Sequence, residues 1–469
     1  MAKTLFDKIW DSHLVRDLDD GSSLVYVDRL FLHERTGSIA LTSLRESGRQ
    51  VHNPQHVFAT MDHIVDTLPG RGDSTLAPGG QIFIKTMRRA ARDADITLFD
   101  IDDPRHGITH LISAEQGITL PGLIVACPDS HTCTLGAMGA VGWGIGTSDC
   151  EHALATQTLR ATKPKQMRVR FDGELGAGVT AKDMILHLIG AHTAFGAAGH
   201  ALEFCGVAVE ALDMEARFTL CNMAVEFSAF TGLIAPDART LAYLEDRPYV
   251  PRGEHWQQAR TEWLGLASDE GAIFDKEIIV DCSEIAPTIT WGTSPQHAIA
   301  VDGNVPAVDD SIDDETRNDV RRALEYMGLE PGQSLLGVPI DGAFIGSCTN
   351  SRLSDLRAAA KVLNGHKVAN GVRAICTPGS QQVKRAAEEE GIDKVFTAAG
   401  FEWREPGCSL CFHAGGEGFG PDERVVTSTN RNFRGRQGPR TRSHLASPAV
   451  VAAAAIAGEI TDVRTTKKL

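Results

Sequence analysis

We expect the fold to be organised around the stretch FEWREPGCSLCFHAGGEGFG, Phe401–Gly420. It carries Cys408 and Cys411 as a CxxC pair in a loop rich in proline and glycine. A third cysteine, Cys348, lies upstream in FIGSCTNSR, directly after an apolar run that is typical of a strand. Thiolates are soft ligands that bind zinc and the irons of iron–sulfur clusters. The three cysteines therefore predict a metal centre.

The CxxC pair by itself leaves three kinds of site open. A redox-active dithiol usually follows a strand and opens a helix, a context that this loop lacks. A zinc site would take Cys348 and His413 as its remaining ligands. A four-iron cluster held by three cysteines would leave one iron open to water or substrate, where it acts as a Lewis acid. The choice among these sites depends on motifs elsewhere in the chain.

Composition and charge exclude some classes of protein. The chain has 469 residues, of which 42% are hydrophobic and 23% charged, as in ordinary globular proteins. Its net charge of −15 disfavours nucleic-acid binding, so an anionic substrate has to be bound by local arginines. The N-terminal segment lacks the apolar core of a secretory signal, and the longest apolar run, at 448–458, is too short to span a membrane. Ten cysteines in a chain of this length do not indicate a disulfide scaffold. They are typical of reduced thiols, so we expect a cytoplasmic protein.

The order of strand and helix patterns predicts an α/β fold. In the last third, DGAFIGS, RAICTPGS and VFTAAG read as strands, with helices predicted over Ser351–Leu363 and Gln381–Glu390. Alternation of this kind is typical of a parallel sheet covered by helices. Similar patterning in the first third predicts a related domain. We expect three α/β domains, at residues 1–165, 166–285 and 286–469, the last carrying the cysteines.

Two local patterns bear on the first domain. Leu5, Ile9, Trp10 and Leu14 have helical spacing and predict a helix over residues 4–18. The glycine-rich run GAMGAVGWGIG at 136–146 lacks a GxGxxG motif that links strand to helix. It therefore predicts close backbone packing and not a nucleotide-binding loop.

A set of motifs spread over most of the chain resembles those of the aconitase family, in the family's order. The motifs are ATMDH at 59–63, DSHT at 129–132, CNMAVE at 221–226, GSCTNSR at 346–352, PGCSLC at 406–411 and STNRNFRGRQG at 428–438. Within the family, the sequence around three further motifs resembles that of bacterial isopropylmalate isomerases. These motifs are ATQTL at 155–159, EFCG at 203–206 and TITWGTSP at 288–295.

The resemblance implies an iron–sulfur hydro-lyase that isomerises 2-isopropylmalate to 3-isopropylmalate by dehydration and rehydration, in leucine biosynthesis. It implies one [4Fe–4S] cluster per subunit, held by Cys348, Cys408 and Cys411 at the centre of three α/β domains. In the family a serine base lies on a swivelling fourth domain, which in this branch is a separate small subunit. We therefore expect the swivel domain to be absent from this chain and the enzyme to be a heterodimer.

The resemblance also assigns the residues of the site. Asp62 and His63 are an adjacent carboxylate–imidazole pair that can hold a proton near neutrality, and by resemblance they protonate the departing hydroxyl. Arginine binds carboxylates through two parallel hydrogen bonds, which agrees with a diacid substrate. The catalytic positions implied are Asp62, His63, His110, Asp129, His131 and Glu226. The substrate-binding positions implied are Asn222, Asn430, Arg431 and Arg436.

Two alternatives remain open at this point. Departures from the family sequence leave open a paralogue that acts on another 2-substituted malate or a citrate-like diacid. They lie at Leu30, Ile64, Pro128, Arg434 and the segment 412–420. A cluster-free role in RNA binding or as a scaffold is the second alternative, and the intact cysteines and the charge of −15 disfavour it.

Overall fold

The computed structural model describes residues 2–308, 314–413 and 416–465. Ala414 and Gly415, which belong to the cysteine-bearing stretch, and the segments 309–313 and 466–469 of the predicted third domain lie outside the described residues. The chain folds as two compact units. Unit 1 comprises Met1–Val65, Gly72–Gly173 and Ala197–Val280, and unit 2 comprises Asp66–Arg71, Glu174–Gly196 and Asp281–Leu469.

Helices and strands alternate along much of the described chain. The α-helices are α1 (Leu5–His13), α2 (Glu34–Glu46), α3 (Gly80–Asp93), α4 (Thr109–Glu115), α5 (Thr147–Thr156), α6 (Ala181–His192), α7 (Val207–Ala211), α8 (Met214–Asn222), α9 (Ala238–Leu244), α10 (Glu254–Leu264), α11 (Asp314–Met327), α12 (Leu353–Leu363), α13 (Gln381–Glu389), α14 (Ile392–Ala399) and α15 (Pro448–Ala457). The strands are β1 (Leu14–Asp17), β2 (Ser23–Tyr26), β3 (Arg29–His33), β4 (Val57–Thr60), β5 (Thr97–Phe99), β6 (Ile124–Cys127), β7 (Val141–Gly144), β8 (Thr158–Ala161), β9 (Lys165–Asp172), β10 (His200–Cys205), β11 (Thr231–Leu233), β12 (Lys276–Asp281), β13 (Thr288–Thr290), β14 (Ala298–Ala300), β15 (Gly342–Ile345), β16 (Arg373–Cys376), β17 (Glu402–Trp403), β18 (Arg424–Thr427) and β19 (Arg442–Leu445). Short 3-10 helices span Pro54–His56, Ser130–Met138, Val225–Phe227, Cys282–Glu284 and Ser409–Cys411.

The main sheet of unit 1 has the strand order β5-β4-β3-β6-β7, and its neighbouring strands are parallel. Strands β4 and β6 are buried along their whole length, as parallel strands covered on both faces require. The chain adds β4 and β5 on one side of β3 and then returns to add β6 and β7 on the other. This reversal creates a switch point between β3 and β6, where the carboxyl ends of the strands leave a crevice.

The main sheet of unit 2 repeats this order as β17-β16-β15-β18-β19, again with parallel neighbours. Its switch point lies between β15 and β18. The prediction that the first and last thirds of the chain have related patterns is thus confirmed at the level of strand order. Both sheets owe their parallel pairing to apolar strands that alternate with crossover helices.

Three smaller sheets complete the described strands. In unit 1, β11-β10-β9-β12 contains parallel pairs, and β1-β2-β8 is antiparallel. In unit 2, β13 and β14 form an antiparallel pair. The predicted boundary at 285/286 lies near residue 280, where the chain passes from unit 1 to unit 2. The division into three domains at 165 and 285 stays a prediction.

Two element predictions were wrong. VFTAAG forms the end of helix α14 and not a strand, because Ile392, Phe396 and Ala399 share one buried helical face. The helix predicted over residues 4–18 ends at His13. The His13 imidazole contacts the Ile9 carbonyl oxygen at 2.7 Å, and the chain then continues as β1, which pairs with β2. Packing against a core on one side selected the helix in the first segment. Pairing with β2 selected the strand in the second, although the local apolar pattern predicted otherwise.

The glycine-rich run packs backbone against backbone, as predicted. A β-carbon at Gly136 would lie 1.5 Å from the Gly232 carbonyl oxygen, and one at Gly142 would lie 2.0 Å from the Thr132 carbonyl oxygen. Backbone atoms cannot move aside as a flexible side chain can. The run therefore brings the 130–138 helix, β7 and β11 into close contact next to Asp129 and His131.

We expect Gly136→Ala to destabilise the protein by about 3 kcal/mol or more, because the added methyl group overlaps a carbonyl oxygen in a packed core. The measurement is the free energy of unfolding in denaturant. Gly72→Ala is the matched control, since Gly72 is exposed and an added β-carbon there meets no atom within 4 Å. Equal stability of the two variants would contradict the packing role of the run.

Candidate active site

Polar residues collect at the carboxyl ends of the central strands of unit 1. His33 ends β3, Asp62 and His63 follow β4, and Asp129 follows β6. Because these strands are parallel neighbours on both sides of the switch point, their carboxyl ends meet at one edge of the sheet. Residues that are far apart in sequence therefore form one group.

His63 is held between two carboxylates. Its Nδ1 lies 2.6 Å from Asp62 Oδ1, and its Nε2 lies 3.2 Å from Asp129 Oδ2. A carboxylate accepts a hydrogen bond and does not donate one, so both contacts are satisfied when both ring nitrogens carry protons. With both nitrogens protonated, His63 donates to Asp62 through Nδ1 and to Asp129 through Nε2.

Asp62 is fully buried and remains ionised. Burial by itself would raise its pKa, but the neighbouring His63 imidazole, by its charge and its hydrogen bond, holds the pKa well below the ordinary value. Its second oxygen accepts hydrogen bonds from the backbone N–H and the hydroxyl of Thr109, each at 2.9 Å. The carboxylate is thus fixed in position as well as in charge.

Asp129 joins three of the predicted histidines. It accepts hydrogen bonds from His110 Nε2 at 2.8 Å and from the His131 backbone N–H at 2.7 Å, in addition to His63. Burial opposes the charge of Asp129, but the side-chain contacts with His110, His131 and His63 hold its pKa well below the ordinary value. His131 in turn contacts Glu226 through Nε2 at 3.0 Å. All six predicted catalytic residues therefore belong to one connected network.

Glu34 and His33 belong to the same group and were missed in the sequence. Glu34 accepts hydrogen bonds from the backbone N–H groups of Asp62 at 3.1 Å, of His63 at 2.8 Å and of Ile64. The His33 ring stacks on His63 with 3.8 Å between the ring centroids. Burial and the charge of His63 lower the pKa of His33 to about 4, so this ring stays neutral. The signal in the sequence that could have identified His33 and Glu34 was their position as a polar pair directly after the apolar run LFL, at the end of a strand.

The buried Glu34 predicts a pH dependence of stability. Burial, and then the charge of Asp62, raise the pKa of Glu34 from 4.5 to about 7. The folded protein therefore binds this proton more tightly than the unfolded chain. The resulting stabilisation is complete below pH 4.5 and is lost as the pH rises to about 7, on the order of 1–3 kcal/mol.

We expect Glu34→Gln to remove this loss, so that its free energy of unfolding changes less between pH 4.5 and 7 than that of the wild type. Denaturant titrations across that range measure the effect. Glu46→Gln, at the exposed end of the same helix, is the control and should retain the wild-type slope. An unchanged slope in Glu34→Gln would contradict the prediction.

Asn222 lies beneath the network at the end of α8. It is fully buried, and its Nδ2 donates to the Thr134 hydroxyl at 2.7 Å. The backbone carbonyl oxygen of Asn222 lies 3.3 Å from Cys133 Sγ. Asn222 thereby supports the 130–138 helix that carries His131, and its predicted contact with substrate stays a prediction.

The cysteines form a second group, at the switch point of the unit 2 sheet. Cys348 follows β15, Cys408 and Cys411 lie in the loop after β17, and Asn430 follows β18. All three cysteines are buried. Asn430 Nδ2 lies 3.4 Å from Cys348 Sγ, and its Oδ1 lies 3.8 Å from Cys411 Sγ. One asparagine therefore contacts cysteines from two separate segments.

The cysteine site fits an iron–sulfur cluster better than a single zinc ion. Ser347 and Arg436 donate to Cys411 Sγ at 3.2 and 3.5 Å, and donors aimed at sulfur stabilise the thiolates that ligate clusters. A tetrahedral zinc ion would draw its ligand atoms within about 4 Å of one another, given zinc–sulfur bonds of about 2.3 Å. Among the described residues, a group of potential ligands with atoms within 4.8 Å of one another occurs at His33, Glu34, Asp62 and His63, and not at the three cysteines.

The arginine-rich segment lies beside the cysteines. The Arg436 guanidinium lies over the rings of Phe412 and Phe433, at 5.4 and 5.2 Å from their centroids, and reaches Cys411. Arg431 is half-buried directly after Asn430. Lys182, which the sequence did not single out, is fully buried, and its Nζ donates to the carbonyl oxygens of Ser428 at 3.0 Å and Thr429 at 2.5 Å. Lys182 thus holds the backbone that presents Asn430 and Arg431.

Comparison with known proteins identifies the family. Residues 7–458 match the aconitase family (aconitate hydratase). The chain belongs to the aconitase family. It is 52% identical over 467 residues to the 3-isopropylmalate dehydratase large subunit 1 of Bradyrhizobium diazoefficiens, covering 100% of this chain and 98% of that protein. It is 49% identical over 465 residues to the protein of the same name from Mannheimia succiniciproducens, covering 99% of this chain and 98% of that protein.

A solved structure, the holo form of aconitase X from Thermococcus kodakaraensis, is a looser likeness. Its TM-score is 0.46 at 14% identity, covering 87% of this chain and 84% of that one. The match to the aconitase family and the similarity to these relatives confirm three predictions made from the motifs: the family, the α/β fold class and the hydro-lyase class. In the part of this aconitase-family chain that the structure describes, none of the helices is both long and apolar enough to cross a membrane.

Proposed function

We propose that this chain is the large subunit of an enzyme that isomerises 2-isopropylmalate to 3-isopropylmalate, in leucine biosynthesis in the cytoplasm. The observation that carries the proposal is the network in which His63 lies between the carboxylates of Asp62 and Asp129. Removal of a hydroxide ion from a malate requires a proton donor at the departing oxygen. The full-length similarity to proteins named 3-isopropylmalate dehydratase large subunit supports this substrate.

Cys348, Cys408 and Cys411 would hold a [4Fe–4S] cluster. When bound, the cluster supplies Lewis acidity at the iron that no cysteine ligates. The residues of the chain supply proton transfer and positioning. His63 gives its Nε2 proton to the departing hydroxyl and takes one back on rehydration, while Asp62 keeps its ring oriented. His131, held by Glu226, and His110, held by Asp129, donate the other hydrogen bonds of the site.

Arg431 and Arg436 would bind the substrate carboxylates through their planar guanidinium groups. Arg436 Nε is buried and has no hydrogen-bond partner among the described residues, so its N–H can donate to a substrate oxygen. By the same resemblance, Asn222 and Asn430 would bind substrate. The roles of these residues rest on the family motifs that they match.

Four of the five departures from the family sequence lie at positions whose side chain or backbone the fold itself uses. Leu30 is fully buried in β3, and Ile64 is 4% exposed and donates its backbone N–H to Glu34. Arg434 donates to the Arg322 carbonyl oxygen at 2.9 Å and lies over the Tyr326 ring. The Pro128 carbonyl oxygen accepts from His33 Nε2 at 3.1 Å, a contact that any residue can make through its backbone. These four positions therefore have structural roles.

The partner that the name "large subunit" implies is a small subunit. We propose that it forms a heterodimer with this chain and carries the base that abstracts the substrate proton. The test is to load the purified chain with iron and sulfide anaerobically and to assay it against a panel of 2-substituted malates, first alone and then with the small subunit.

We expect no turnover by the chain alone, and turnover with a preference for 2-isopropylmalate after the small subunit is added. Full activity of the lone chain would contradict the partner proposal. Preference for another 2-alkylmalate or for a citrate-like diacid would establish the paralogue instead.

A further inference from the structure

Two serines next to the cysteines have a left-handed backbone. Ser347, before Cys348, has φ 78°, and Ser409, after Cys408, has φ 47°. Residues other than glycine are disfavoured in this region because their β-carbon approaches a carbonyl oxygen. Glycine would adopt the same backbone without strain. A serine in such a place therefore indicates that its side chain supplies something that glycine lacks.

The Ser347 hydroxyl lies between cysteines from different segments. It is 3.2 Å from Cys411 Sγ and 3.9 Å from Cys348 Sγ, and Asn430 Nδ2 lies 3.5 Å from it. The side chain is fully buried. Ser409 differs, because its hydroxyl accepts from Thr67 Oγ1 at 3.0 Å. Of the two serines with a left-handed backbone, Ser347 is the one whose hydroxyl contacts cysteine sulfur.

We propose that Ser347 is a positioning residue of the cluster site, whose hydroxyl donates to the Cys411 thiolate, orients that ligand and stabilises the reduced state of the bound cluster. Reduction adds negative charge to the cluster and its sulfur ligands, and a hydrogen-bond donor at sulfur offsets that charge. The inference rests on the cluster of the proposed function and adds a residue that sets its reduction potential and its retention of iron.

The test compares Ser347→Ala with Ser347→Gly in the reconstituted complex with the small subunit. Both variants lose the hydroxyl, but only glycine relieves the left-handed backbone. We expect both to shift the midpoint potential, followed by electron paramagnetic resonance, to more negative values by the same amount. Both should lose iron to a chelator about 10- to 100-fold faster, the range for partners of metal ligands.

Thermal unfolding of the cluster-free chain separates this role from backbone strain. Ser347→Gly should unfold at or above the temperature of Ser347→Ala. Asp246→Gly is the control, since Asp246 is exposed at φ 64°, and it should leave the potential and the iron retention unchanged. The glycine variant also keeps the test valid if the alanine variant fails to fold.

Three results would overturn the inference. In the first, the wild type loads its cluster and both variants keep its potential and iron retention. In the second, only Ser347→Ala changes, which would trace the effect to the backbone. In the third, the wild type holds no cluster, and the proposed function fails as well.

Discussion

Replacing Cys408 by serine is expected to abolish cluster binding while the chain remains folded. A serine hydroxyl is a hard and weakly acidic ligand, and iron–sulfur clusters require thiolates. Loss of a partner of a ligand costs about 10- to 100-fold in metal affinity, and loss of the ligand itself should cost at least as much. After anaerobic loading, iron and sulfide analysis should show more than about tenfold less cluster, with no measurable turnover in the complex.

Cys205→Ser is the matched control for this experiment. Cys205 is half-buried at the end of β10, and burial raises the pKa of its thiol to about 11, so it is a poor ligand at neutral pH. This variant should load as much iron as the wild type. A fully loaded, active Cys408→Ser variant would refute the ligand assignment, and so would stoichiometric zinc in the wild type.

Asp129→Asn is expected to lower kcat by about 10²- to 10⁴-fold, the usual contribution of a positioned acid or base. The Asp129 carboxylate accepts from His63, His110 and the His131 backbone at once. An asparagine keeps one acceptor oxygen and turns an N–H group toward one of these donors. If the oxygen stays with His110 and His131, His63 loses its acceptor and its orientation. At 1.36 kcal/mol per factor of ten, the loss corresponds to about 3–5 kcal/mol of transition-state stabilisation.

The measurement is steady-state kinetics of the loaded complex, with iron content determined in parallel. Asp102→Asn is the control, because Asp102 is exposed and nearby in sequence, and it should retain wild-type kcat. Equal iron content in the two variants would show that the loss arises in proton transfer. A kcat within about threefold of the wild type in Asp129→Asn would show that the network is structural.

Motifs that resemble those of the aconitase family carried the prediction of the site a long way. Asp62, His63 and Asp129, which the family motifs assigned to the site, lie in one hydrogen-bonded group. The motifs of the cysteine loop predicted that Cys348 and Cys411 approach each other, and Ser347 and Asn430 contact both. Apolar strands that end in polar motifs are visible in a sequence because burial on both faces requires continuous apolar runs.

Element boundaries were less predictable where neighbours decided them. The segment VFTAAG has the composition of a strand, but a core on one side of it selects the helix α14. Residues 14–17 continue a helical pattern, but the antiparallel partner β2 selects a strand. Local propensity differs by fractions of a kcal/mol per residue, and burial of a single apolar side chain outweighs it.

The sequence by itself determined the family and the parallel-sheet class, and its motifs predicted the three cysteine ligands and the catalytic histidines and carboxylates, because all of these depend on residue identity and order. Only the tertiary structure decided which ordinary-looking residues serve the sites. Glu34 fixes the backbone of residues 62–64, Lys182 fixes Ser428 and Thr429, and Ser347 contacts Cys411. Each of these contacts joins segments that are distant along the chain, and a hydrogen bond depends on distance and direction in space, which spacing in sequence does not encode.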